Sequence, residues 1–94
     1  MECVIKSIRH SGRRGERNAP RIDGRYPLRI GRVVDIDPAS LIKGRSCVLD
    51  YVRDRDGIDL SGAFLTTSRV VDVQNCGDTL VVETINTIYE MAKC

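Results

Sequence analysis

An all-β domain is what this sequence predicts: a small barrel, SH3-like or OB-like, or a compact sandwich, of about five to seven short antiparallel strands. Three observations predict it. Apolar residues recur at every second position in short runs; Cys47, Leu49 and Tyr51 share one face, and Val48, Asp50 and Val52 the other. Turn chemistry separates the runs, above all Asp56-Gly57 and Asn75-Cys76-Gly77-Asp78. No segment carries a helical period longer than one turn. A barrel also removes exposed strand edges, a liability in so small a chain.

The elements follow in order. Glu2 to Ile8 alternates, with Cys3 and Ile5 on one face and Val4 and Ile8 towards the other. It reads as a first strand at the edge of the sheet, where Lys6 discourages pairing with other molecules. Arg9 to Gly24 is rich in arginine and glycine and nearly free of apolar residues, so it reads as a long loop. Tyr26, Leu28 and Ile30 alternate with Pro27 and Arg29, which predicts an edge strand that bends at Gly31 and continues through Val33 to Ile36. Asp37-Pro38-Ala39-Ser40 is a turn, with room for one helical turn between Ala39 and Ile42. Arg45–Val52 is the next strand. Arg53 to Gly57 is a charged turn. Ala63–Thr67 and Arg69–Gln74 read as two further strands. Thr79–Ile85 pairs back across the Asn75–Asp78 turn as the clearest hairpin, and Thr87–Ala92 is a last strand.

The 94 residues make room for one domain, 1–94, carrying a basic loop at about 9–25. A chain of this size buries roughly 60% of the surface its unfolded form exposes, so the core is modest. No apolar run approaches a membrane span, and Met1-Glu2-Cys3-Val4-Ile5-Lys6 is too short and charged for a signal peptide. The expectation is a cytoplasmic protein with its four cysteines, Cys3, Cys47, Cys76 and Cys94, as free thiols, Cys47 in the core and Cys94 exposed. None of them forms a C-x-x-C pair, and the one histidine, His10, is seven residues from the nearest, so the spacing argues against zinc.

The formal charge of +2 hides a division. Residues 1–34 hold nine basic and three acidic side chains, a net +6; residues 35–94 hold six and ten, a net −4. Such asymmetry predicts either a basic patch that meets something anionic or charge neutralised within the fold, the loop's arginines meeting the chain's own aspartates, or between subunits. The candidate ligand-binding residues are Arg9, His10, Arg13, Arg14, Arg17, Arg21, Arg25, Tyr26 and Arg29. A guanidinium grips phosphate with two donors, and glycines beside it let backbone amides approach an anion. In this reading the arginines stand free of the β body, Tyr26 stacks on a base and His10 donates to a phosphate. With aromatic residues few, backbone contact is expected over base reading.

Other chemistry finds less support. Asp35 with Asp37, and Asp54 with Asp56 and Asp59, are near pairs, but neither carries the spacing of a calcium loop, and both read as solvated turns. Gly12-Arg13-Arg14-Gly15 lacks the ending of a P-loop. No catalytic motif is present, so no enzyme, metal or cofactor is expected.

Three stretches of the last third also carry a resemblance: Thr67-Ser68-Arg69-Val70-Val71-Asp72-Val73, then Leu80-Val81-Val82-Glu83-Thr84, then Asn86-Thr87-Ile88-Tyr89. Together they resemble small uncharacterised β proteins of phages and prophages. The resemblance implies a phage or mobile-element setting and no established activity. The function expected is a non-catalytic binding module whose arginine-rich loop holds the phosphates of a nucleic acid or nucleotide. The alternative is an oligomeric interaction protein, such as a phage-type inhibitor of a host protein that handles nucleic acids or nucleotides. The expected partners are accordingly a nucleic acid or nucleotide, a host protein or further copies of the chain, and no membrane.

Overall fold

A computed structural model describes residues 1–94. Six strands form a closed antiparallel barrel: β1 (Glu2–His10), β2 (Val33–Asp35), β3 (Ser46–Arg53), β4 (Phe64–Cys76), β5 (Thr79–Thr84) and β6 (Thr87–Lys93). Each strand pairs with the next in sequence, and β6 closes the ring on β1. The connectivity is a plain meander, unlike the Greek-key order of an OB barrel. A short helix α1 (Tyr26–Arg29) and a 3-10 turn at Pro38–Ser40 complete the chain.

Alternation builds the wall. In β5, Leu80, Val82 and Thr84 point inward and are buried. They lie beside β6 through the pairs Leu80↔Met91 and Val82↔Tyr89. Across the barrel Leu49, Cys47 and Val70 fill the same interior. Full burial of each aliphatic side chain contributes about 1.5–3 kcal/mol.

Four expectations are corrected. β1 is not an edge strand: β2 pairs with its beginning and β6 with nearly its whole length. Ile8 faces the core with Cys3 and Ile5, because a bulge between Ile5 and Ser7 shifts the alternation by one residue. The segment from Tyr26 is a helical turn and not a strand. Pro27 lies in its first turn, where a missing N–H costs nothing, and Leu28 is 55% exposed, so the apparent alternation does not mark a buried face. The two strands expected at 63–67 and 69–74 are one 13-residue strand, β4. Its first half pairs with β3 and its second with β5, and the register shift between Val70 and Asp72 lets it bend around the barrel.

The turns follow the sequence closely. β4 and β5 close on Gly77-Asp78, with Gly77 at φ +54°. Gly57, at φ +88°, donates its N–H to Asp54 O at the tip of the β3–β4 connection. Asp37 accepts from Ala39 N at 3.0 Å and starts the 3-10 turn. The cysteines are free, with Cys3 and Cys47 buried and Cys76 and Cys94 exposed.

Candidate anion-binding groove

Beyond β2, the side of β1 left open is taken by the chain's own basic loop. Arg21 N donates to Ile8 O at 2.9 Å, His10 N to Ala19 O at 2.8 Å, and Asn18 N to His10 O at 2.9 Å. Residues 11–25 therefore fold back along β1 instead of standing clear of the body. Gly15 packs so closely on His10 that a Cβ there would lie 2.8 Å from the imidazole.

This fold ties down three of the expected ligand residues. Arg21 is 8% exposed. It donates to Asp23 Oδ2 at 2.5 Å, to Asp23 Oδ1 at 3.1 Å and to Thr87 Oγ1 at 2.7 Å. The Arg21 bond holds the Asp23 carboxyl below its ordinary range. Arg17 forms a two-point pair with Glu83, at 2.7 and 3.0 Å, and also donates to Ser11 O. Arg9 donates to Glu90 and to Ser7 Oγ, both at 2.6 Å. The expectation that the loop's guanidinium groups stand free fails for these three: Glu90 and Glu83, distant in sequence, reach Arg9 and Arg17 in the closed barrel, and Asp23, two residues on, holds Arg21.

The other candidates divide. Arg13, Arg14 and Arg25 are exposed and join no ion pair. Tyr26 is half-buried, with the Arg21 and Arg29 guanidinium carbons 4.0 and 4.7 Å from its ring centroid. His10 points inward beside the loop, its Nε2 4.0 Å from Asp23 Oδ1 and its Nδ1 buried with no hydrogen-bond partner.

Where the chain leaves β1 after Ile22 and returns at Gly31, it encloses a groove of about 610 Å³. Its basic side chains are Lys6, Arg9, Arg21 and Arg55, against the single carboxylate of Glu90. Ile8, Ile22 and Ile30, with Pro20 and Pro27, supply apolar walls. Ile22 is 83% exposed at the rim. Lys6 and Arg55 have no carboxylate partner within ion-pair distance.

Arg55 reaches this groove from the β3–β4 connection by crossing Gly31. A Cβ at position 31 would lie 2.8 Å from Arg55 Cβ, and Gly31 has φ +88°, a conformation that side chains rarely adopt. Sequence reasoning passed over Lys6 and Arg55: one reads as a guard on a strand edge, the other as part of a solvated turn. The fold brings them to one groove through Gly31, which donates its N–H to Ile5 O of β1 and packs under Arg55.

The remaining acidic pairs have local partners. Asp35 accepts from the N-terminal ammonium at 2.9 Å, and Asp37 caps the 3-10 turn. Asp59 accepts from Ser61 N and Oγ, which lowers its pKa. No group of three or more His, Cys, Asp or Glu side chains is placed to hold a metal ion. Burial pushes the Tyr89 phenol well above its ordinary pKa. No helix is long and apolar enough to cross a membrane. No protein-family model matches the chain, and neither a curated protein nor a solved structure does.

Proposed function

We propose that this chain is a non-catalytic binding module that takes a phosphate-bearing ligand, a nucleotide or nucleic acid, in the groove between β1, α1 and the β3–β4 connection. The observation that carries the reading is the groove's charge: four basic side chains against one carboxylate, on walls that are otherwise largely apolar. Part of that charge is already compensated, since Arg9 holds Glu90 and Arg21 holds Asp23. Lys6 and Arg55 are left to attract an anion. The groove's size falls within the range of small-ligand sites, roughly 300–1,000 Å³. Relative to the loop arginines first expected to do this work, the centre of binding moves to Lys6 and Arg55. Arg13, Arg14 and Arg25 lie outside the groove's lining. The non-catalytic part of the reading rests on His10, the one histidine, which makes no side-chain hydrogen bond to a serine, threonine or cysteine nucleophile. The test is the affinity for adenosine monophosphate across a salt series. A steep fall with salt supports the reading, and an affinity independent of salt contradicts it.

A second reading, an oligomer or a phage-type inhibitor docking on a host protein, draws on a different surface. On the outer face of β3 and β4, Phe64 is 62% exposed and Val48 42%. The register Val48↔Thr66 and Asp50↔Phe64 makes them diagonal neighbours. Sedimentation of the wild type and of Phe64→Ser tests it: loss of a dimer in the variant favours this reading, and a monomer in both removes its oligomeric form.

A further inference from the structure

The groove's charge and shape together narrow the class of ligand, an inference that rests on the anion-binding reading above. Three facts bear on it. First, of the four cations that line the groove, two have no carboxylate partner, Lys6 and Arg55, and both are exposed. Second, a phosphate monoester carries a charge of about −1.5 to −2 at neutral pH, whereas each phosphodiester of a nucleic acid carries one. A polynucleotide needs cations spaced along a track, but along the loop that would form such a track Arg9, Arg17 and Arg21 are bound to Glu90, Glu83 and Asp23, and the free Arg13, Arg14 and Arg25 lie outside the groove. Third, the groove is much larger than a phosphate, and the rest of its lining includes Ile8, Ile22, Ile30, Pro20 and Pro27.

We propose that the groove binds a small phosphate monoester with an apolar or planar body, of the nucleoside monophosphate class. Lys6 and Arg55 meet the terminal phosphate, and the body lies against Ile22, Pro27 and Ile30. Arg55 supplies two parallel donors to the phosphate oxygens and Lys6 a point charge. Gly31 belongs to the site without touching the ligand: it is the positioning residue that lets Arg55 lie across the chain and reach the groove.

Calorimetry with four probes tests this: adenosine monophosphate, adenosine, inorganic phosphate and a ten-nucleotide deoxythymidine strand with a free 5′-hydroxyl. The monophosphate is expected to bind roughly tenfold or more tighter than adenosine or inorganic phosphate, because only it engages both the cations and the apolar wall. Lys6→Ala and Arg55→Ala each weaken it by roughly tenfold, while Arg13→Ala with Arg14→Ala leaves it within about twofold. Both groove residues are exposed, so neither variant threatens the fold. If the oligonucleotide binds tightest and depends on Arg13 and Arg14, the monoester assignment is overturned while anion binding survives. If adenosine binds as well as its monophosphate, the phosphate assignment falls. If none of the four binds, the assignment and the reading beneath it fall together.

Discussion

Arg21, from the middle of the basic loop, donates through Nη1 to Oγ1 of Thr87 at the start of β6, 66 residues away, at 2.7 Å. The same guanidinium holds Asp23 and lies over the ring of Tyr26. A residue that composition marks as a ligand-binding cation is thus a latch that fixes the loop to the barrel. Arg21→Ala is expected to destabilise the fold by about 2–3 kcal/mol, since it removes charge-assisted hydrogen bonds from a site where the arginine is almost wholly buried. Urea denaturation measures it. A loss no larger than that of Arg13→Ala would show that the latch contributes nothing.

Gly15 gives a steric prediction. Its φ is unexceptional, so alanine is barred only by the imbalance of space against His10, whose ring would lie 2.8 Å from the new Cβ. Gly15→Ala alone should cost about 1–3 kcal/mol. Adding His10→Ala should recover much of that, because the smaller side chain vacates the contact. A double-mutant cycle in urea reads the coupling, and strict additivity would place the two residues apart.

The Asp23 carboxyl titrates below its ordinary value of 3.8 in the folded chain, chiefly through its hydrogen bonds from Arg21. A carboxyl depressed on folding stabilises the native state above its unfolded pKa. That contribution is lost as pH falls through the lower, folded value. The acid limb of the stability curve, below about pH 4, should therefore be steeper in the wild type than in Asp23→Asn. Denaturant midpoints across that range check it, and equal slopes would separate Asp23 from the loop's stability.

Burial pushes the Cys3 and Cys47 thiols above their ordinary pKa, while Cys76 and Cys94 are exposed. A thiol reagent should react quickly with those two exposed cysteines in the folded protein and with all four after denaturation. Fast reaction at Cys47, whose Sγ lies 3.3 Å from Thr67 Oγ1, would mean that the barrel opens there.

Much of the barrel was legible because its strands obey a period of two and its turns use glycine and aspartate. Leu80, Val82 and Met91 declare their face in any reading of the chain. What period cannot show is an interruption within a strand. The bulge at Ile5/Ser7 reverses the face of Ile8, and no residue type there announces it. Pro27 beside alternating Tyr26, Leu28 and Ile30 imitates an edge strand, although the same proline opens a helical turn.

The site was less legible, for a physical reason. Charge asymmetry identifies where cations are dense, but whether a cation is free depends on which carboxylates the fold brings to it. Glu83 and Glu90 lie 66 and 81 residues from Arg17 and Arg9, and nothing local links them. Of the residues first singled out, Arg9 and Arg21 do line the groove, each already holding a carboxylate, while the groove's two uncompensated cations come from β1 and from a turn.

The central claim is that the groove, and not the loop, receives the anion. A nitrogen-15 NMR titration with inorganic phosphate tests it residue by residue. The account predicts amide shifts that saturate together at Lys6, Ser7, Ile22, Gly31 and Arg55, with Arg13 and Arg14 little moved. Shifts confined to Arg13, Arg14 and Arg25, or none at any residue, would contradict it.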